Sequence, residues 1–114
     1  MQYTKEQIEA IVINAEEAAH EAAQKYFKEQ LGGRDGFPCG FAWVDVYVDR
    51  TNSKQAKELL KAGFRKDYKP KCLSMWNPGG LGVQNIDIKE AGAYAYATFL
   101  QTLGLQAYAG SRLD

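Results

Sequence analysis

The chain has no excess of charge of either sign and no long apolar run, and each of these absences excludes a class of protein. Its 114 residues carry 14 basic and 14 acidic side chains. A protein that binds nucleic acid generally needs surplus Lys and Arg for the phosphates, so general nucleic-acid binding is not expected. The apolar runs are much shorter than a membrane span, and residues 1–6 have no apolar signal-peptide core. We expect a cytoplasmic protein with one domain over residues 1–114 and no membrane contact.

The chain is also poor in the residues that hold metals and carry out catalysis. His20 is the single histidine, and Cys39 and Cys72 are far apart without a CxxC pattern. A zinc site would need an unusual ligand set, so we expect no metal and no cofactor. His20 stands among glutamates within a predicted helix, which is typical of a solvated histidine. There is no phosphate-binding G-x-x-x-x-G-K-[ST] loop and no G-x-S-x-G nucleophile motif. No catalytic residue is predicted, and the sequence favours a binding protein over an enzyme.

The first half of the chain predicts a long helix followed by a strand. Thr4 and Gln7 have capping-box spacing, and apolar residues then recur every three or four positions until Gly32 and Gly33. The many alanines among them predict close packing against another element. Residues 41–49 alternate, with Ala42, Val44, Val46 and Val48 on one face and Phe41, Trp43, Asp45, Tyr47 and Asp49 on the other.

The second half predicts two more helices and two more strands. Ser53 begins a short helix that ends at Gly63, and residues 71–76 form the second strand. Asp87 is predicted to cap the last helix, where its carboxylate disfavours a bound phosphate. Residues 106–112 form the third strand. The order α-β-α-β-α-β predicts a compact α/β or α+β layered domain with a small three-stranded sheet and parallel crossovers.

The aromatic strand face creates a solubility problem in such a narrow sheet. If all helices cover the aliphatic face, the face with Phe41, Trp43 and Tyr47 is left in water, which is unusual for a monomer. Either the first helix or a partner must cover it. We therefore expect a homo-oligomer, most simply a two-fold dimer.

Residues 76–85, WNPGGLGVQN, combine three glycines with three carboxamides. Glycine lets the backbone approach a ligand closely, and carboxamides donate and accept hydrogen bonds without charge. Aromatic rings can stack on a base and arginine binds anionic groups, although a surface ion pair is the commoner use of an arginine. We expect Arg112 to neutralise an anionic ligand group while Asn77 and Asn85 fix its orientation. The candidate ligand-binding residues are Arg34, Trp43, Trp76, Asn77, Gly79, Gly80, Gln84, Asn85, Tyr108 and Arg112.

Three stretches resemble a group of small accessory proteins of tailed phages that have no assigned activity. They are residues 20–27 (HEAAQKYF), residues 32–36 leading into 39–44 (GGRDG and CGFAWV), and residues 107–114 (AYAGSRLD). The resemblance covers most of the chain and carries no catalytic role. It implies a protein that acts in the bacterial host cytoplasm, where evasion of host defence is a common use.

Two main functions follow as expectations. The first is a non-enzymatic protein that binds a small polar or anionic, nucleotide-like ligand and sequesters it, for example a host-defence signal. The second is a protein-protein inhibitor or adaptor that uses the aromatic strand face, because interface centres favour Trp, Tyr and Arg. A small nucleotide-processing enzyme is a third alternative, for which the sequence offers no evident base or metal ligands.

Overall fold

A computed structural model describes residues 3–114 as three helices and one four-stranded sheet. In chain order the elements are α1 (Lys5–Glu29), β1 (Gly40–Tyr47), α2 (Lys54–Lys61), β2 (Arg65–Lys66), β3 (Cys72–Trp76), α3 (Ile86–Thr102) and β4 (Gln106–Leu113). The fold class is α+β, one of the two alternatives predicted from the sequence.

The sheet is entirely antiparallel and has the order β2-β3-β1-β4. β1 pairs with both β3 and β4, and β3 also pairs with β2. Hence β1 and β2 run in the same direction with β3 between them, and β3 and β4 do so with β1 between them. This is a split β-α-β arrangement, in which each helical crossover joins parallel strands that are not neighbours. The predicted strand number was wrong because β2 is two exposed residues long and leaves no periodic pattern.

Helix ends follow the capping residues, with one correction. The Thr4 hydroxyl accepts a hydrogen bond from the Gln7 amide at 3.1 Å and the Gln7 side chain accepts one from the Thr4 amide at 2.8 Å, which confirms the predicted capping box. Ser53 caps α2 as predicted. The cap of α3, however, is Asn85 and not Asp87. Asp87 lies in the first turn, two residues later, where a carboxylate still interacts favourably with the helix dipole.

The helices pack on the aliphatic face of the sheet, which we call the closed face. Val44, Val46, Leu73 and Ala107 are fully buried there and belong to the same core cluster as the apolar residues of all three helices. The buried alanines of α1 lie against α3, so the close packing predicted from the alanine stripe is confirmed. Within residues 3–114, no helix packs on the opposite face of the sheet.

Candidate functional site

The face of the sheet that the helices leave uncovered, which we call the open face, brings together side chains from three strands. Because side chains of paired residues in an antiparallel sheet point to the same side, the pairing register identifies them. They are Phe41, Trp43, Asp45 and Tyr47 from β1, Cys72, Ser74 and Trp76 from β3, and Gln106, Tyr108, Gly110 and Arg112 from β4. The alternation predicted for residues 41–47 is thus confirmed.

Two tryptophans form the centre of the aromatic surface. The rings of Trp43 and Trp76 stack with their centroids 4.9 Å apart, and Phe41 meets Trp76 edge-on at 5.7 Å. Trp43 lies over Gly110 of the neighbouring strand, where any Cβ would come within 2.6 Å of the indole nitrogen. Trp76 remains 51% exposed. The cluster therefore presents a large aromatic surface to solvent that its own contacts hold in place.

Two cations stand beside this cluster. The Arg112 guanidinium carbon is 5.5 Å from the ring centre of Phe41 and 5.9 Å from that of Trp76, within the range of cation–π attraction. The Lys89 ammonium is 5.2 Å from the ring centre of Phe41 and donates to the Gly40 carbonyl at 2.8 Å. Three ion pairs are found within residues 3–114, and neither cation takes part in them. Two positive charges, on Arg112 and Lys89, therefore stand beside the aromatic cluster at this end of the open face.

A second aromatic pair lies further along the same face. Tyr47 and Tyr108 meet edge to face with centroids 6.1 Å apart, and Tyr108 is 54% exposed. Tyr108 pairs across the sheet with Asp45. This pair lies in the next row on the open face, two residues along the strands from the row of Trp43, Trp76 and Gly110. The open face thus carries two aromatic surfaces, one beside Arg112 and one remote from it.

Asp45 lies between these surfaces and its charge is compensated. Its carboxylate accepts hydrogen bonds from the Ser74 hydroxyl at 2.5 Å and from the Lys69 ammonium at 2.6 Å. The hydrogen bond to Asp45 raises the pKa of Lys69 above its ordinary value, so the lysine stays charged. Lys69 is also 3.7 Å from Asp67.

The same region holds the one group of potential metal ligands found within residues 3–114. Asp45, Asp67 and the Cys72 thiol have ligand atoms within 4.8 Å of one another. The Lys69 ammonium, however, lies against both carboxylates, where a metal ion would have to sit. Burial, chiefly, raises the pKa of the Cys72 thiol, which disfavours the thiolate that a metal requires. The geometry gives an internal ion pair, with lysine as the cation.

The carboxyl end of residues 77–85, which we call the amide-rich loop, forms hydrogen bonds with the protein's own backbone. The Asn85 side chain is buried, accepts hydrogen bonds from the amides of Asp87 at 2.8 Å and Ile88 at 3.2 Å, and donates to the Phe37 carbonyl at 3.1 Å. Asn85 therefore holds the start of α3 to the preceding chain. Its amide has no remaining role at the surface.

Asp35 fixes this end of the loop from outside. Its carboxylate accepts hydrogen bonds from the backbone amides of Gln84, at 3.0 Å, and Asn85, at 2.9 Å. These two bonds are the main reason that the pKa of Asp35 lies below its ordinary value. The exposed Gln84 side chain accepts a weak hydrogen bond from the Cys39 thiol at 3.7 Å.

The beginning of the loop lies on the helical side of the molecule. The Asn77 amide donates to the Leu81 carbonyl at 2.8 Å, within the loop itself. Gly79 packs so closely against α1 and α3 that an added Cβ would lie 2.9 Å from the Ala23 methyl group. His20 is exposed and donates from Nδ1 to the Gly79 carbonyl at 2.8 Å. Asn77, Gly79 and Gly80 form one wall of a groove of about 650 Å³. The other wall is α1, with Glu16, Glu17, His20 and Glu21.

The predicted site residues therefore fall into two groups and one separate residue, Arg34. Trp43, Trp76, Tyr108 and Arg112 come together on the open face. Asn77, Gly79, Gly80, Gln84 and Asn85 belong to the amide-rich loop, and Arg34 is exposed in the turn after α1. Phe41, Tyr47 and Gly110 also lie on the open face and were not among the ten candidate ligand-binding residues, although strand alternation had already put the first two on the aromatic face. Lys89 reaches Phe41 from α3, a contact between elements that no local pattern indicates.

No protein-family model, curated protein or solved structure matches this chain. Within residues 3–114, the structure contains no helix that is both long and apolar enough to cross a membrane.

Proposed function

We propose that this protein is a non-enzymatic binding protein that holds a planar, anionic, nucleotide-like ligand on the open face of its sheet. The observation that carries the proposal is the half-exposed Trp76 ring, backed by Trp43 and bordered by the Arg112 guanidinium. A planar ring can stack on Trp76 while its phosphate or carboxylate receives charge-assisted hydrogen bonds from Arg112.

The aromatic surface suits this role because it needs little reorganisation on binding. Trp43 is confined between Trp76 and the backbone of Gly110, so the stacking surface is already ordered in the absence of a ligand. A ligand would then lose less free energy to ordering of the site. Lys89 would add a second positive charge near the anionic group.

The side chains of Asn77 and Asn85 have no direct part in ligand binding in this proposal. Their carboxamide composition suggested a role in ligand orientation, but both side chains form hydrogen bonds with the protein's own backbone. Orientation of the ligand would instead come from the direction of the Arg112 guanidinium relative to the ring of Trp76.

Tryptophan fluorescence tests the proposal directly, because both tryptophans of the chain lie in this cluster. We expect AMP to change the emission in a saturable manner and to bind more tightly than uncharged adenosine. Arg112→Ala should weaken AMP binding roughly tenfold to 150-fold, as expected for hydrogen bonds to a charged group, and leave adenosine binding nearly unchanged.

Arg50→Ala, which removes an exposed arginine in the turn after β1, is the matched control and should leave both affinities unchanged. The titration should be repeated with cyclic dinucleotides and ADP-ribose to identify the preferred anion. If no planar anion alters the fluorescence, or if Arg112→Ala and Arg50→Ala behave alike, the open face does not bind such a ligand.

A second candidate is self-association through the same face, favoured by the exposure of Trp76 and Tyr108. A two-fold dimer would bury these side chains, and Trp, Tyr and Arg are the residues that dominate interface energetics. Light scattering should then give twice the mass of the 12.7 kDa chain. Trp43→Asp should restore the monomer mass, whereas a monomeric wild-type protein at high micromolar concentration would contradict self-association.

The cellular role stays a prediction. A bacterial cytoplasmic location, and sequestration of a host-defence signal, rest on the resemblance to phage accessory proteins described above. Binding without turnover would suit sequestration, and recovery of the unchanged nucleotide after prolonged incubation with the protein would test it against the nucleotide-processing alternative.

A further inference from the structure

We infer that the ligand of the open face carries two planar rings joined by a phosphate linker, as in a 5′-phosphorylated dinucleotide, with one ring on Trp76 and the other on Tyr108. This inference rests on the function proposed above and names the class of ligand for that same site.

The second aromatic surface is the first argument. Tyr108 is as exposed as Trp76, at 54% against 51%, and Tyr47 supports its ring edge to face at 6.1 Å. Tyr108 and Trp76 belong to β4 and β3, which flank β1, and their register places them one row apart on the open face. A mononucleotide would use only one of these two surfaces.

The separation of the two surfaces defines the spacing of the rings. Two strand spacings across the sheet and two residues along it place the backbones of Trp76 and Tyr108 roughly 12 Å apart. Rings at that distance are splayed and do not stack on each other. A dinucleotide in an extended conformation can adopt such a geometry, because its backbone allows successive bases to turn apart.

The surface between the two rings contains a partly exposed lysine, Lys69. Asp45 and Ser74 are buried there, and the Trp43 indole covers Gly110. The Asp45 carboxylate accepts hydrogen bonds from Lys69 and Ser74, and the Lys69 side chain is 33% exposed. Lys69 also lies 3.7 Å from Asp67, but within residues 3–114 only Asp45 takes one of its three N–H groups in a hydrogen bond, so Lys69 can still donate to a linking phosphate.

The positions of the cations give the order of the ligand groups. Arg112 lies beside Phe41, at the end of the face remote from Tyr108. A terminal phosphate would bind at Arg112, the first ring on Trp76, the linker near Lys69, and the second ring on Tyr108. The 5′-phosphorylated dinucleotide pApA supplies these groups in this order, whereas AMP supplies only the first two.

Comparison of pApA with AMP tests the inference by tryptophan fluorescence and calorimetry. Base stacking on an aromatic side chain adds enough free energy that we expect pApA to bind at least about tenfold more tightly than AMP. Tyr108→Ala should lower the pApA affinity to that of AMP and leave AMP binding unchanged. Tyr94→Ala, which removes an exposed tyrosine from α3, is the matched control and should change neither affinity.

The outcomes separate this inference from the proposed function. If AMP and pApA bind equally, or if Tyr108→Ala weakens both to the same extent, one ring is the whole ligand and the inference is wrong, while the proposed function stands. If neither compound binds and other planar anions also fail, the proposed function is wrong and the inference falls with it.

Discussion

The amide-rich loop and the open face differ in what their side chains do, although the sequence placed residues of both in one candidate site. In the loop, the side chains of Asn77 and Asn85 bond to the protein's own backbone. On the open face, Trp76 and Tyr108 remain about half exposed, and Arg112 forms no ion pair within residues 3–114. The contrast teaches that polar, glycine-rich composition can indicate a constrained backbone. We propose binding on the open face because apolar and cationic groups remain exposed there together.

The two regions should also differ in whether a substitution changes the stability of the fold or its affinity for a ligand. Substitutions in the loop or its packing partners should change the free energy of unfolding and leave the intrinsic affinity of the folded protein unchanged. Substitutions on the open face should do the reverse. The four predictions below test this separation.

Asn85→Ala should have the largest effect, because it removes the α3 cap and leaves the Phe37 carbonyl without its hydrogen bond. We expect a loss of about 2–3 kcal/mol in the free energy of unfolding, measured by urea denaturation. Asn14→Ala, on an exposed position of α1, should be neutral or slightly stabilising. A stable Asn85→Ala variant that no longer binds AMP would return Asn85 to the ligand site.

Gly92→Ala should follow in size. An added Cβ would lie 2.8 Å from the Gly79 Cα and 3.0 Å from its nitrogen, so α3 and the loop would have to separate. After the gain in helix propensity, we expect a net loss of about 1–2 kcal/mol in unfolding free energy. Gly82→Ala, where nothing lies within 4 Å, is the control and should change stability by less than about 0.5 kcal/mol. Equal stability of the two variants would contradict close packing at Gly79.

Arg112→Ala should leave the fold almost unchanged, within about 0.5 kcal/mol of wild type, because Arg112 forms no ion pair within residues 3–114. Thermal unfolding without ligand measures this. A large destabilisation would show that Arg112 is structural, and the contrast between the two regions would be lost.

The smallest effect should be a pH dependence of the unfolding free energy that arises from Asp35. Because its folded-state pKa is lowered, its contribution to stability is fully present above the unfolded-state pKa and is lost as pH falls through the folded-state pKa. Wild type should therefore exceed Asp35→Asn in stability at neutral pH, and the gap should narrow below about pH 4. Asp49→Asn, at another exposed carboxylate, serves as the control in the same series of unfolding curves. A gap that is constant down to pH 2 would contradict the proposed role of these hydrogen bonds.

Much of the fold was predictable because its signals are local. Caps at Thr4 and Ser53 and the two faces of β1 follow from spacing and alternation. Strand order was not predictable, because β1 pairs with β3 and β4 through contacts between distant parts of the chain. The cap of α3 was misplaced by two residues because Asn85 and Asp87 are both good capping residues, and the contact with Phe37 that favours Asn85 is tertiary.

The sequence indicated the types of residue in the candidate site, but it did not indicate which individual residues would lie together. Trp43, Trp76, Tyr108 and Arg112 were selected because aromatic rings and arginine suit a planar anion, and all four lie on the open face. The loop residues were selected on composition, which does not indicate whether an amide will bond to its own backbone. Only the tertiary contacts of Asn77 and Asn85 make that distinction.

Gly110 shows how a position without a side chain can control a surface that it does not form. Its missing Cβ is the space that the Trp43 indole occupies, and Trp43 in turn supports Trp76. Any other residue there would lift the indole and tilt the ring on which a ligand would stack. An alanine scan of exposed side chains would pass over this position, so mutational maps of the protein should include Gly110→Ala.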